Sequence, residues 1–276
     1  MTTDEATAPD NGKTGSLPFD TSVAHQARMY DYVLGGKDNY AADRAAADAW
    51  VKTDPGTVFT VLANRAFLGR AVRYLAGEAG VRQFLDIGTG IPTAGNTHEA
   101  AQRVAPEARV VYVDYDPVVL AHARALLTGG EAGATEYIDA DLRATGMILE
   151  RAGEFLDFTK PVAIMLMAIL HAIPAADDPH AIVAELLNAV PSGSYLALTH
   201  LASDLLDHET RESLEGLSGR TMQQRITARS REQVARFFAG ADLVEPGIVR
   251  PEEWRPDPGT TETARSSLWS AVGRKR

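Results

Sequence analysis

The stretch Gln83-Phe84-Leu85-Asp86-Ile87-Gly88-Thr89-Gly90-Ile91-Pro92-Thr93 constrains this chain more than any other. Phe84, Leu85 and Ile87 make an apolar run of strand length. Gly88 and Gly90 follow where the backbone must turn tightly and let a ligand approach. Residues 94–105 read as the helix that comes next. A strand that ends in a glycine turn and opens onto a helix is the unit of a parallel α/β sheet, in which ligands bind beyond the carboxyl ends of the strands.

Two ligand classes compete for such a turn. The dinucleotide fingerprint has a third glycine for close helix–strand packing. Thr93 stands there instead, preceded by Pro92, which disfavours a nicotinamide or flavin. The pattern Asp86-x-Gly88-x-Gly90 resembles the first motif of class I S-adenosylmethionine (SAM) methyltransferases. That resemblance implies that Asp86 helps place the ammonium end of the methionine moiety and that Gly88, Thr89 and Gly90 pass beside the ligand. A tight turn without a ligand is the plain alternative.

Composition narrows the partners. The 276 residues are 45% hydrophobic and 23% charged, enough for one large globular unit with a real core. The formal net charge of −10 argues against a nucleic-acid backbone as partner, because no basic stripe compensates it. With no cysteine there is neither a disulfide nor a thiolate metal site. No tight metal-ligand word occurs, so no metal is expected. Residues 1–16 are polar, lack the apolar core of a secretory signal and read as a disordered tail. The longest apolar run, 161–173, is too short to span a bilayer. A soluble cytoplasmic protein is the expectation.

Ahead of the turn, the spacing predicts three helices. Val23, Ala27, Tyr30 and Leu34 share one helical face, and Gly35-Gly36 stops it. Asn39 is placed to cap a second helix over 40–52, and a third runs over 58–76. The organisation expected is a helical cap over 17–80 and a ligand-binding domain over 81–276, the two forming one structural unit. The words Ala27-Arg28-Met29-Tyr30-Asp31-Tyr32-Val33-Leu34-Gly35-Gly36-Lys37-Asp38-Asn39-Tyr40, Asn64-Arg65-x-Phe67-Leu68, Val111-Tyr112-Val113-Asp114-Tyr115-Asp116-Pro117 and Trp254-Arg255-Pro256 follow in order. Together they resemble a bacterial family of SAM-dependent methyltransferases over residues 18–273, and more faintly the leucine carboxyl methyltransferases. The fold so implied is an α/β class I, Rossmann-like, mostly parallel seven-stranded sheet with an N-terminal helical layer. The implied cofactor is S-adenosyl-L-methionine. Arg28 would pair its carboxylate, or else pair with Asp31 or Asp43 to hold the helices together. Tyr32, Leu142 and Ala168 join the implied cofactor contacts.

Residues 108–113 read as the second strand. Asp114 stands at its end, 26 positions after Gly88, where a carboxylate accepts from both ribose hydroxyls. Asp116-Pro117 starts a helix, with Asp116 as its cap. Tyr115 lies against adenine or on the surface. The third strand, 135–138, runs into Asp139-Ala140-Asp141-Leu142-Arg143. Asp141 matches the family word and is preferred to Asp139 for the adenine amino group. A helix over 145–155 follows.

The run 161–171 suits a central strand covered on both faces. Met165 and Met167 read as core. His171, just past its end, is the candidate general base, with a purely structural histidine as the other reading. His200, near the end of a fifth strand over 195–201, carries the same ambiguity. Residues 203–228 form a helical insertion expected to help build a substrate pocket. Ser230-x-x-Gln233 is a capping box, and strands over 243–249 and 267–272 close the sheet, the last of them antiparallel as the class I resemblance implies. Trp254, in the loop between them, anchors that loop on the core or lines a pocket. The function expected is methyl transfer to a small-molecule acceptor, through an oxygen nucleophile. The alternative is a module that binds SAM or its demethylated product without catalysis.

Overall fold

In the computed structural model, residues 19–126, 134–260 and 264–276 are described. The expected tail over 1–16 lies outside them. Three helices come first: α1 Gln26–Val33, α2 Ala41–Thr53 and α3 Thr57–Gly77. Strands and helices then alternate through β1 Gln83–Ile87, α4 Thr97–Val104, β2 Arg109–Asp114, α5 Pro117–Leu126, β3 Thr135–Asp139, α6 Thr145–Gly153, β4 Ala163–Met167, α7 Pro179–Asn188 and β5 Tyr195–Leu201. The chain closes with α8 His208–Thr221, α9 Arg231–Ala235, β6 Ala241–Leu243 and β7 Leu268–Lys275.

Among the described residues the seven strands form one sheet in the order β3-β2-β1-β4-β5-β7-β6. β1 to β5 pair in parallel, whereas β7 runs antiparallel between β5 and β6. The expected mostly parallel sheet is therefore a mixed one. β6 also ends six residues before the expected limit. Pro246 has no N–H for a ladder and Gly247 turns with φ +85°, so pairing lapses until Val249 meets Ser270.

The sheet is covered on both faces. Leu85, Ile87, Val111, Val113, Ile164 and Leu166 pack against α6, α7 and α9. Phe84, Val110, Tyr112, Ala163 and Met165 pack against α3 and α4. β4 is buried along its whole length, which is why its sequence lacks alternation. Chain order reverses at β1, with β2 on one side and β4 on the other, and opens a crevice at their carboxyl ends.

α1 departs from the sequence expectation. Val23 is exposed, while Arg28, Met29 and Asp31 are buried. Its inward face is mainly polar. α2 is not capped by Asn39: Tyr40 precedes the helix, and Asp43 accepts the Tyr40 N–H at 2.8 Å. Asn39 instead donates to Asp31 at 2.8 Å.

Trp254 is the anchor of its loop. It is fully buried, with its ring edge-on to Phe67 at 5.3 Å and Tyr74 at 5.8 Å. Among the described residues its indole Nε1 has no hydrogen-bond partner. Trp254→Ala should cost about 3–5 kcal/mol in urea unfolding. Trp254→Phe, which gives up no hydrogen bond, should cost less than half of that.

Candidate functional site

The crevice is built on the turn after β1. Gly88 and Gly90 have φ +74° and +68°. A Cβ on Gly88 would lie 2.6 Å from Ile169, so only glycine fits. The Gly88 N–H donates to the Val113 carbonyl at 2.8 Å, and the Gly90 N–H to the Asp114 carboxylate at 2.9 Å. The other Asp114 oxygen accepts the N–H groups of Tyr115 at 2.8 Å and Asp116 at 3.0 Å. Asp114 thus clamps the turn after β1 to the turn after β2.

Asp86, Asp114 and Asp141 line one crevice, from the ends of three adjacent strands. Gly88, Thr89, Gly90, Tyr115, Leu142 and Ala168 line it with them. Burial raises the Asp86 carboxyl to about 6, against the Thr97 hydroxyl donating at 2.6 Å and the nearby Arg65 cation. Burial also raises Asp114, opposed by its backbone donors. Asp141 moves the other way, because the Arg143 guanidinium grips it at 2.6 and 2.9 Å. Burial pushes Tyr115 up to about 12. Asp139 is exposed and does not line the crevice, whereas Met167 does.

The structure takes Arg28 and Tyr32 away from this crevice. Tyr32 donates to Asp48 on α2 at 3.1 Å. Arg28 is buried, with its Nε 3.2 Å from Asp43 and Nη1 3.8 Å from Asp116. Its guanidinium lies over the rings of Phe19 and Tyr40. Of the two readings of Arg28, the one that holds helices together has the geometry. His25 adds a second tie, its Nδ1 3.0 Å from Asp116. Asp116 also caps α5, accepting the Val118 N–H at 2.8 Å. The layer is therefore pinned to the end of β2 through one carboxylate.

Arg65 on α3 lines the crevice where Arg28 does not, and Arg143 lines it beside Asp141. Arg65 donates from Nη2 to the Ala94 carbonyl at 3.2 Å. It stands in the word Asn64-Arg65-x-Phe67, but helical spacing alone does not separate an inward arginine from a solvated one.

His171 lines an adjoining cavity rather than the crevice. The Gln26 amide nitrogen reaches the Ala168 carbonyl at 2.6 Å and the His171 Nε2 at 2.7 Å. A carbonyl only accepts, so the amide points its N–H groups this way. Burial drives His171 down to about 3. The ring stays neutral near pH 7, yet it is a weak base, far from the match in pKa that proton abstraction favours. His200 is structural: Nδ1 donates to the Leu201 carbonyl and Nε2 accepts from Arg229, each at 2.8 Å. Arg229 holds the segment that carries His171 through the carbonyls of Leu170 and Ile173. The insertion after β5 reaches both spaces, with Gln224 at the crevice and Met222 at the cavity.

A family model described as S-adenosyl methyltransferase matches residues 12–276. No curated protein matches the chain. A DUF574 family protein of known structure from Streptomyces avermitilis is 44% identical, with a TM-score of 0.88, over 93% of this chain and 99% of its own. A candidate methyltransferase from Thermobifida fusca is 41% identical, with a TM-score of 0.84, over 93% and 97%. An O-methyltransferase family protein from Burkholderia thailandensis shares the fold alone, at 14% identity and a TM-score of 0.51 over 80% and 58%.

The ties of Arg28 make a prediction about stability. Arg28→Ala leaves the fully buried Asp43 without its cation and should cost about 3–5 kcal/mol in urea unfolding. Adding Asp43→Asn should recover part of that loss.

Proposed function

Because this chain belongs to the S-adenosyl methyltransferase family, with S-adenosyl-L-methionine as cofactor, we propose that it methylates a small-molecule acceptor at an oxygen atom. The observation that carries this reading is the crevice with carboxylates from the ends of β1, β2 and β3 around one glycine turn. The donor set fits the cofactor. Asp86 suits an ammonium group, and Arg65 suits the carboxylate of the same amino acid moiety. Asp114 has about four lone-pair sites, of which backbone N–H groups take three. It therefore has room for one ribose hydroxyl rather than two. Asp141, Leu142 and Tyr115 lie where the base end belongs, and the glycines leave space beside Thr89. A pyrophosphate would meet the same three carboxylates, which speaks against a dinucleotide.

When bound, the cofactor supplies a methyl group on a sulfonium, already activated for transfer. The protein's part is to align the acceptor and exclude water, which contributes on the order of 7–11 kcal/mol. His171 serves that part by holding the Gln26 amide. It is a positioning residue, not a general base, so the acceptor hydroxyl gives its proton to solvent as the methyl–oxygen bond forms and the methyl–sulfur bond breaks. Among the described residues no helix is long and apolar enough to cross a membrane. A binding module without catalysis would need no room for an acceptor, and the second cavity beside the crevice favours the enzyme.

Calorimetry with SAM, S-adenosylhomocysteine and NAD tests the cofactor set. Binding of the two sulfur compounds and not of NAD is expected, and failure of both sulfur compounds would overturn the reading. The affinity also depends on pH. Below about 6 the Asp86 carboxyl holds a proton that it must release to face an ammonium. Binding of S-adenosylhomocysteine should weaken about tenfold from pH 7 to pH 5, most of it below pH 6, and level off above 7. Asp86→Asn should bind more weakly at pH 8 and lose this slope.

A further inference from the structure

Gln26, Tyr30, Asn64 and Ala168 line two spaces at once, the crevice and a cavity of about 110 Å³ behind it. Apolar side chains surround the cavity: Met29, Val61, Leu201, Met222, Ile226 and Leu268. Trp50 completes it from α2. A cavity of about 150 Å³ with such walls holds a benzene ring, so this smaller one takes a single substituted ring only together with the space where it meets the crevice. Among the described residues, no lysine or arginine lines the cavity. Its one ionisable acid, Asp54, is already engaged by the Gly56 N–H and the Ser267 hydroxyl.

The shared wall is nearly saturated with hydrogen bonds. Ala168 N–H donates to the Thr199 hydroxyl, and that hydroxyl to the Asn64 carbonyl oxygen at 2.7 Å. The Asn64 amide donates to the Tyr30 hydroxyl at 2.9 Å, and that hydroxyl to the Val61 carbonyl at 3.0 Å. One acceptor is left over. Gln26 Oε1 is buried and has no partner among the described residues, because the Ala168 carbonyl and His171 turn the amide nitrogen toward themselves. A buried acceptor without a donor is unfavourable, and a ligand hydroxyl in this wall would relieve it.

We propose that this cavity is the acceptor site and that it selects an uncharged, mainly apolar molecule about one ring in size, with a single hydroxyl donated to Gln26. The selection against acids follows from the walls: a carboxylate would lose its water and meet no cation. This rests on the methyltransferase reading, which puts the methyl donor in the adjoining crevice.

The test uses the full chain saturated with S-adenosylhomocysteine, whose own binding is measured separately by calorimetry. Para-cresol and para-toluate share a para-methylphenyl body and differ as phenol and carboxylate; para-toluamide, neutral and with the shape of the larger acid, controls for size and should bind at least tenfold more tightly than the acid. Para-cresol should quench tryptophan fluorescence saturably, and para-toluate should bind at least tenfold more weakly. Trp50→Phe should remove the quench, since Trp254 and Trp269 do not line the cavity. Val33→Trp fills the space from a partly exposed position. By calorimetry it should weaken para-cresol at least tenfold and leave the affinity for S-adenosylhomocysteine within twofold. The inference is overturned if para-toluate binds as well as para-cresol, or if neither binds to protein that holds S-adenosylhomocysteine. Unchanged para-cresol binding in Val33→Trp also overturns it. Should that variant not fold, a full quench persisting in Trp50→Phe places the phenol elsewhere and has the same force. If S-adenosylhomocysteine fails to bind, the methyltransferase reading falls, while the two probes still decide whether the cavity prefers the phenol.

Discussion

The working end of this molecule depends on two carboxylates at the end of β2. Asp114 accepts three backbone N–H groups and locks the glycine turn after β1 against its own turn. Asp116, two residues on, caps α5 and receives His25 and Arg28 from the N-terminal layer. Burial disfavours both charges, and the donors around them offset that cost. The crevice and the layer over it therefore share one anchor.

That arrangement explains the polar inward face of α1. A helix packed by apolar contacts alone would tolerate small rotations. Asp43 meets the Arg28 guanidinium, the His25 N–H and the Tyr40 N–H, and each bond has a preferred direction. The helix is thereby oriented so that Gln26 and Tyr30 face the end of β4. Ala168, held at φ +54°, turns its carbonyl to Gln26 at the same place. The wall between the two spaces is the meeting point of these constraints.

The histidine pair beyond β4 shows how burial changes a chemical role. His171 and His200 are edge to face at 5.7 Å, both deep in the protein and beside the Arg229 cation. Desolvation and that charge both oppose protonation. Two imidazoles that look reactive in a sequence become neutral hydrogen-bonding parts, one holding Gln26 and the other holding Arg229.

The amino-acid sequence by itself determined the strand, the glycine turn and the order of acids after β1, β2 and β3, because these depend on neighbours within a few positions. Asp86, Gly88, Gly90, Asp114 and Asp141 stand together in the crevice for that reason. The buried run of β4 and the anchoring of Trp254 were legible on the same terms. Tertiary structure alone decided what distant partners control. Arg28 went to Asp43 and left the crevice to Arg65. His171 met Gln26, 145 positions away, and lost its basicity to burial. The second cavity belongs with these. Local pattern carries the pitch of an element, but desolvation and pairing are set by whichever side chains the fold brings within a few ångströms.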